Sequence, residues 1–91
     1  MPTYLVERYL PGRDRAWLEA ALARLGRCGP GVAYLGSFFV PEDEACLCRF
    51  DAADAQSVRG ANELAGVPFA RVVAVTELGI APGAHHEGGS R

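Results

Sequence analysis

Apolar and branched residues dominate Tyr4-Leu5-Val6-Glu7-Arg8-Tyr9-Leu10, and the run stops at Pro11-Gly12, which predicts a strand followed by a turn. The period then lengthens. Trp17, Leu18, Ala21, Leu22 and Leu25 fall at helical spacing, with Asp14 placed to cap the start and Gly26 the end. Arg15, Glu19 and Arg24 take the wet side of that helix. A Gly-Pro-Gly turn at 29–31 separates it from a second strand, Val32 to Val40, that ends in Phe38-Phe39-Val40. The acidic link Pro41-Glu42-Asp43-Glu44 leads into a third strand, Ala45 to Phe50, and its shortness favours an antiparallel hairpin. Asp51 or Asp54 can cap a second helix carrying Ala55, Val58, Ala61 and Ala65, with Gly66 as its stop. Arg71 to Leu78 reads as a fourth strand.

This β-α-β-β-α-β order predicts an α+β, ferredoxin-like sandwich: a four-stranded antiparallel sheet with both helices on one face. Two helices cannot cover both sides of a sheet, so the second side must meet water, a ligand or another chain. Strict alternation groups Leu5 with Tyr9, Leu35 with Phe39 and Val73 with Val75. The opposite set is Tyr4 with Val6, Tyr34 with Phe38 and Val72 with Ala74. Both sides are therefore hydrophobic, and a patch of that kind marks an association surface. The expectation is a homodimer or higher oligomer formed sheet to sheet, with room for a cavity between the sheets.

At 91 residues, 49% of them hydrophobic and 22% charged, the chain has the composition of one folded domain and not of a disordered segment. Much of the apolar fraction is alanine, so one copy has a thin core and gains from association. The net charge of −2, with no clustered basic surface, argues against a nucleic-acid partner. Residues 79–91, rich in Gly and small polar residues, are expected to be a flexible tail on a domain spanning 1–78. The opening Met1-Pro2-Thr3 lacks a basic and apolar leader, and no apolar run is long enough for a membrane span. These features lead to the expectation of a cytoplasmic protein with no membrane partner.

Candidate chemistry is sparse. Cys28, Cys46 and Cys48 have the spacing of neither a disulfide framework nor a four-thiolate zinc site, and are read as reduced. On a strand Cys46 and Cys48 share a face, where they read as small packed groups. The only histidines lie in His85-His86-Glu87, a donor set suited to nickel, zinc or copper. Glu42 and Glu44, flanking Asp43, can add carboxylates to such a site. Glu7 and Glu77 fall on strands that neighbour each other in the expected sheet, where an acid on an apolar face is a candidate for a raised pKa and proton transfer. Arg8 or Arg49 can instead pair with such an acid. With Tyr9 and Arg49, these acids make an alternative set of polar groups for a cavity. No Ser-His-Asp set, phosphate-cradling glycine loop or H-E-x-x-H is present, which disfavours catalysis.

Three segments carry a family resemblance: Tyr4-Leu5-Val6-Glu7-Arg8-Tyr9-Leu10-Pro11-Gly12, the run from Ser37 to Phe50 containing Val-Pro-Glu-Asp-Glu, and the run from Ala61 to Val72 containing Gly-Val-Pro-Phe. Together they resemble a small bacterial family of ferredoxin-like domains, largely of unknown function, that includes a nickel-binding protein of actinobacteria. The resemblance implies the ferredoxin-like fold, sheet-mediated dimers and an association with nickel. The leading expectation is a non-enzymatic protein holding nickel or another divalent ion through His85, His86 and Glu87, with carboxylates of Glu42 and Glu44. The alternative is a dimeric, barrel-like enzyme or binding protein that holds a small apolar organic molecule at the sheet face, with Glu7, Tyr9, Arg49 and Glu77 as its polar groups.

Overall fold

The computed structural model describes residues 1–79. Strand β1 (Thr3–Tyr9) leads to helix α1 (Arg15–Leu25) and strand β2 (Val32–Val40). A single 3₁₀ turn at Pro41–Asp43 joins β2 to β3 (Ala45–Ala52), and helix α2 (Ala55–Ala65) precedes β4 (Arg71–Val75). The four strands form one open antiparallel sheet in the order β2-β3-β1-β4, so the chain is of the α+β class. None of the helices among the described residues is long and apolar enough to cross a membrane.

Each helix starts where its sequence asks it to. Asp14 accepts a hydrogen bond from the Trp17 amide and Asp54 one from the Ser57 amide, each at 2.8 Å, which satisfies amides that the first turn leaves free. Of the two candidate caps for α2, Asp54 is the one used; Asp51 lies within β3 and accepts from the Thr3 hydroxyl. Gly66 ends α2 in the left-handed conformation, φ 72°, which a residue without Cβ adopts at no steric cost. The Arg13 guanidinium lies over the Trp17 ring at 4.3 Å, shielding an aromatic that is only half-buried.

Even-numbered residues of β1 and β3 point into the core: Tyr4, Val6 and Arg8 beside Cys46, Cys48, Phe50 and Ala52. Leu18, Ala21 and Leu25 of α1 and Val58 of α2 join the same cluster, so both helices bury their stripes against this side of the sheet. Trp17 and Leu22, the other two members of the α1 stripe, pack at its margin.

Two features depart from the sequence reading. The fourth strand ends at Val75, so Glu77 stands beyond the ladder that its neighbours form with β1. The alternation of β2 breaks at a β-bulge: Tyr34 pairs with Phe50 and Gly36 with Arg49, leaving Leu35 as an extra residue. Gly36 there has φ 128°, a conformation that side-chain-bearing residues rarely adopt. One extra residue reverses every side chain after it. Ser37 and Phe39 therefore share the core side with Tyr34, opposite Cys48 and Cys46 respectively, and Phe38 moves to the other face opposite Leu47. The grouping of Tyr34 with Phe38, and of Leu35 with Phe39, thus fails at the bulge.

Candidate functional site

The face of the sheet away from both helices follows from the register. Leu5 lies between Arg49 and Val73, Glu7 between Leu47 and Arg71, and Phe38 beside Leu47. Phe38 is 65% exposed and Tyr9 63%, on a surface where Leu5, Leu47, Val73 and Val75 are half-buried. Large aromatic groups left this open on a sheet face with half-buried aliphatic residues form a patch of the kind that marks association.

Two ion pairs cross this apolar face. Glu7 meets Arg71 in a two-point fork, Nε to Oε1 at 2.9 Å and Nη2 to Oε2 at 3.0 Å. That hydrogen bonding, with the Arg71 charge, holds the Glu7 carboxyl below its ordinary range despite some burial. A carboxylate stabilised in its charged form is a poor proton shuttle at neutral pH, so the expectation of a raised pKa at Glu7 is not met. Of the two arginines expected to pair with an acid on this face, Arg8 meets neither Glu7 nor Glu77 and Arg49 does find one, though not Glu7. Arg49 reaches Glu77 instead, at 3.5 Å. The structure thus brings Glu7, Arg49 and Glu77 to one region of the sheet but engages each acid with an arginine, and Tyr9 stands exposed at the end of β1.

The carboxylates proposed from sequence for a metal stand in the β2–β3 connection. Glu42 and Glu44 are exposed; Glu44 is left-handed at φ 51°, and its Oε2 accepts a hydrogen bond from the Gly12 amide at 3.0 Å. Glu44 therefore ties two loops together. Among the described residues, no three of the His, Cys, Asp and Glu side chains lie close enough to hold a metal ion. His85, His86 and Glu87 lie outside the described residues.

On the helix-covered side, sequence reading missed a polar cluster. Arg8 is only 1% exposed, in the middle of the core, and Asn62 is fully buried beside it. Arg8 Nη2 donates to Asn62 Oδ1 at 2.7 Å, Nη1 to the Val67 and Pro68 carbonyls at 3.4 and 3.3 Å, and Nε to Cys48 Sγ at 3.4 Å. Asn62 Nδ2 in turn donates to the Val58 carbonyl at 2.8 Å. Cys48 Sγ also accepts from the Ser37 hydroxyl at 2.8 Å and lies 3.8 Å from Cys46 Sγ. Ser37 is hydrogen-bonded to the Tyr34 hydroxyl. The Cys46 hydrogen bond, opposed by burial and helped by the Arg8 charge, draws the Cys48 thiol down to about 6. The same contact and burial push Cys46 up, and burial raises Tyr34 and Cys28. Cys46 and Cys48 do share a face and remain unbridged, but their company is an arginine and a serine as well as apolar side chains. The signal was present in the pattern: Arg8 continues the Tyr4, Val6 phase, and Asn62 follows Val58 by one helical turn.

A small α+β domain, with one face of its sheet covered by two helices and the other apolar and open, is the class that these features define. The chain belongs to the SCO4226-like nickel responsive protein family, whose model matches residues 4–75. It matches no curated protein and no solved structure.

Proposed function

We propose that this chain is a small, non-enzymatic, cytoplasmic metal-binding protein that holds nickel or another divalent ion through His85, His86 and Glu87. The fold is read as the ferredoxin-like split β-α-β arrangement, acting as a homodimer joined through its open sheet face. The observation that carries the metal reading is the family match over residues 4–75. The donor inventory restricts where the ion can sit. Nickel in a nitrogen and oxygen site favours imidazole and carboxylate, and both histidines of the chain fall at 85 and 86. The described residues alone do not fit a nickel ion, since they bring no three donor side chains together. Glu42 and Glu44, exposed in the β2–β3 turn, are the carboxylates proposed to complete a site with His85 and His86, for which Glu44 would exchange its hydrogen bond from the Gly12 amide for the ion.

The experiment is a calorimetric titration of nickel into metal-stripped, tag-free protein, run beside a truncation after Leu78 and a His85→Ala/His86→Ala variant. Micromolar or tighter binding by the full chain, lost in both variants, is the expected result. Equal binding by all three places the ligands within residues 1–78 and overturns the assignment to the tail. No binding by any of them removes the metal-binding reading for this member of the family.

A further inference from the structure

Arg8 is a cation sealed in the core without a carboxylate: no Asp or Glu among the described residues reaches it within salt-bridge distance. Its partners at Nη1 and Nη2 are neutral, one amide oxygen and two backbone carbonyls. A guanidinium does not lose its proton in a protein, and an uncompensated charge in an apolar interior is costly. Some neighbour that can become negative must answer it.

The surroundings leave few choices. The buried residues of α1 are Leu18, Ala21 and Leu25, with Trp17 and Leu22 at the margin, and that of β4 is Val72, none of which titrates. Buried α2 residues are Val58 and Asn62, neither of which titrates. The groups around Arg8 that can lose a proton are Cys48 and Cys46 of β3 and Tyr34 of β2. Of these, Cys48 is the one that Arg8 touches, and two further donors aim at the same sulfur. The Ser37 hydroxyl donates to it, and the Cys46 thiol stands in position to donate. Donors converging on one small acceptor stabilise its anion, as three amide donors stabilise a carboxylate.

We propose that Cys48 is a thiolate in the folded protein and forms with Arg8 a buried ion pair that makes the stability of the domain depend on pH. Cys46 keeps its proton and supplies a third hydrogen bond to the anion, beside those of Arg8 and Ser37, so the two cysteines have different states although they are two residues apart. Protonation of Cys48 leaves Arg8 buried without a counter-charge. The sign follows from linkage. A thiol whose pKa is lower in the folded than in the unfolded state binds its proton more tightly in the unfolded chain, so the pair's contribution is complete above the ordinary thiol value of 9.0 and is lost as pH falls toward about 6. Cys46, shifted the other way, acts only above that window.

The test is urea denaturation of the full chain at a series of pH values across this window, beside Cys48→Ser. The expected result is a folding equilibrium constant that rises with pH, by up to tenfold per unit, in the parent chain and by much less in the variant. Equal slopes in the two proteins, or no slope in the parent, overturn the proposal. Ultraviolet thiolate absorbance keeps the test open if Cys48→Ser fails to fold. The folded parent should show one thiolate at neutral pH, retained in Cys46→Ser and Cys28→Ser and lost when urea unfolds the chain. Absence of that absorbance in the folded protein, or its loss only with Cys46 or Cys28, also overturns the proposal.

Discussion

Asn62 has two jobs that no apolar side chain can do: it accepts from Arg8 at 2.7 Å and donates to the Val58 carbonyl at 2.8 Å. A hydrogen bond to a buried charge contributes about 1.5 to 3 kcal/mol, and its loss leaves a guanidinium nitrogen facing apolar atoms. Asn62→Ala should therefore destabilise the domain by about 2 to 3 kcal/mol, measured by urea denaturation. A change below 0.5 kcal/mol, the size typical of surface substitutions, would show that Arg8 does not depend on it. This cluster was only half legible beforehand. The alternation of β1 places Arg8 on the packed side with Tyr4 and Val6, but a lone charge in such a phase reads equally well as a strand that reaches solvent. Which it is depends on Val67, Pro68 and Asn62, 54 to 60 residues away, arriving around it. The partner of Glu7 is a similar case, because Arg71 reaches it across 64 residues of chain.

At the scale of elements, the bulge in β2 decides which aromatic faces which way. Without it, Phe38 would lie over the core with Tyr34, and Ser37 would be turned away from Cys48. Gly36 makes the bulge possible because its φ of 128° excludes most other residues, while the space around a Cβ there is open. The cost of substitution is thus backbone strain alone. Gly36→Ala should lower stability by about 1 to 3 kcal/mol in thermal or urea unfolding, and an unchanged midpoint would indicate that the strand can pair without the bulge. The number and order of the elements were readable from period and punctuation: Pro11-Gly12, Gly29-Pro30-Gly31 and Gly66 all fall between elements or at a cap. The end of β4 was not readable. Thr76, Glu77 and Leu78 have strand-compatible composition, yet β1 offers partners only as far as Thr3 opposite Val75. A strand ends where its partner ends.

For the molecule as a whole, the open face sets the expectation for assembly. It carries exposed Phe38 and Tyr9 among half-buried aliphatic residues, together with arginine and glutamate in two pairs, so both charge signs are available to a second copy facing it. Burying one such aromatic against a partner contributes roughly 1.5 to 3 kcal/mol per copy. Sedimentation equilibrium should find a dimer for the parent chain and a monomer for Phe38→Asp, with the variant's secondary structure retained because Phe38 lies outside the core. A monomeric parent would remove the homodimer from the proposed function while leaving the nickel titration to stand on its own.

The sequence by itself determined the α+β class, the succession of strands and helices and the inward stripe of α1, because each follows from local periodicity, capping and turn chemistry within about a dozen residues. It also confined imidazole chemistry to His85 and His86, since composition is a matter of counting. Tertiary structure alone decided the strand register, the reversal of faces at Leu35, the fork between Glu7 and Arg71, and the gathering of Arg8, Cys48 and Asn62. Those depend on contacts between residues remote in the chain. There the energy of burying or pairing a group outweighs local preference, and no short window of sequence contains both partners.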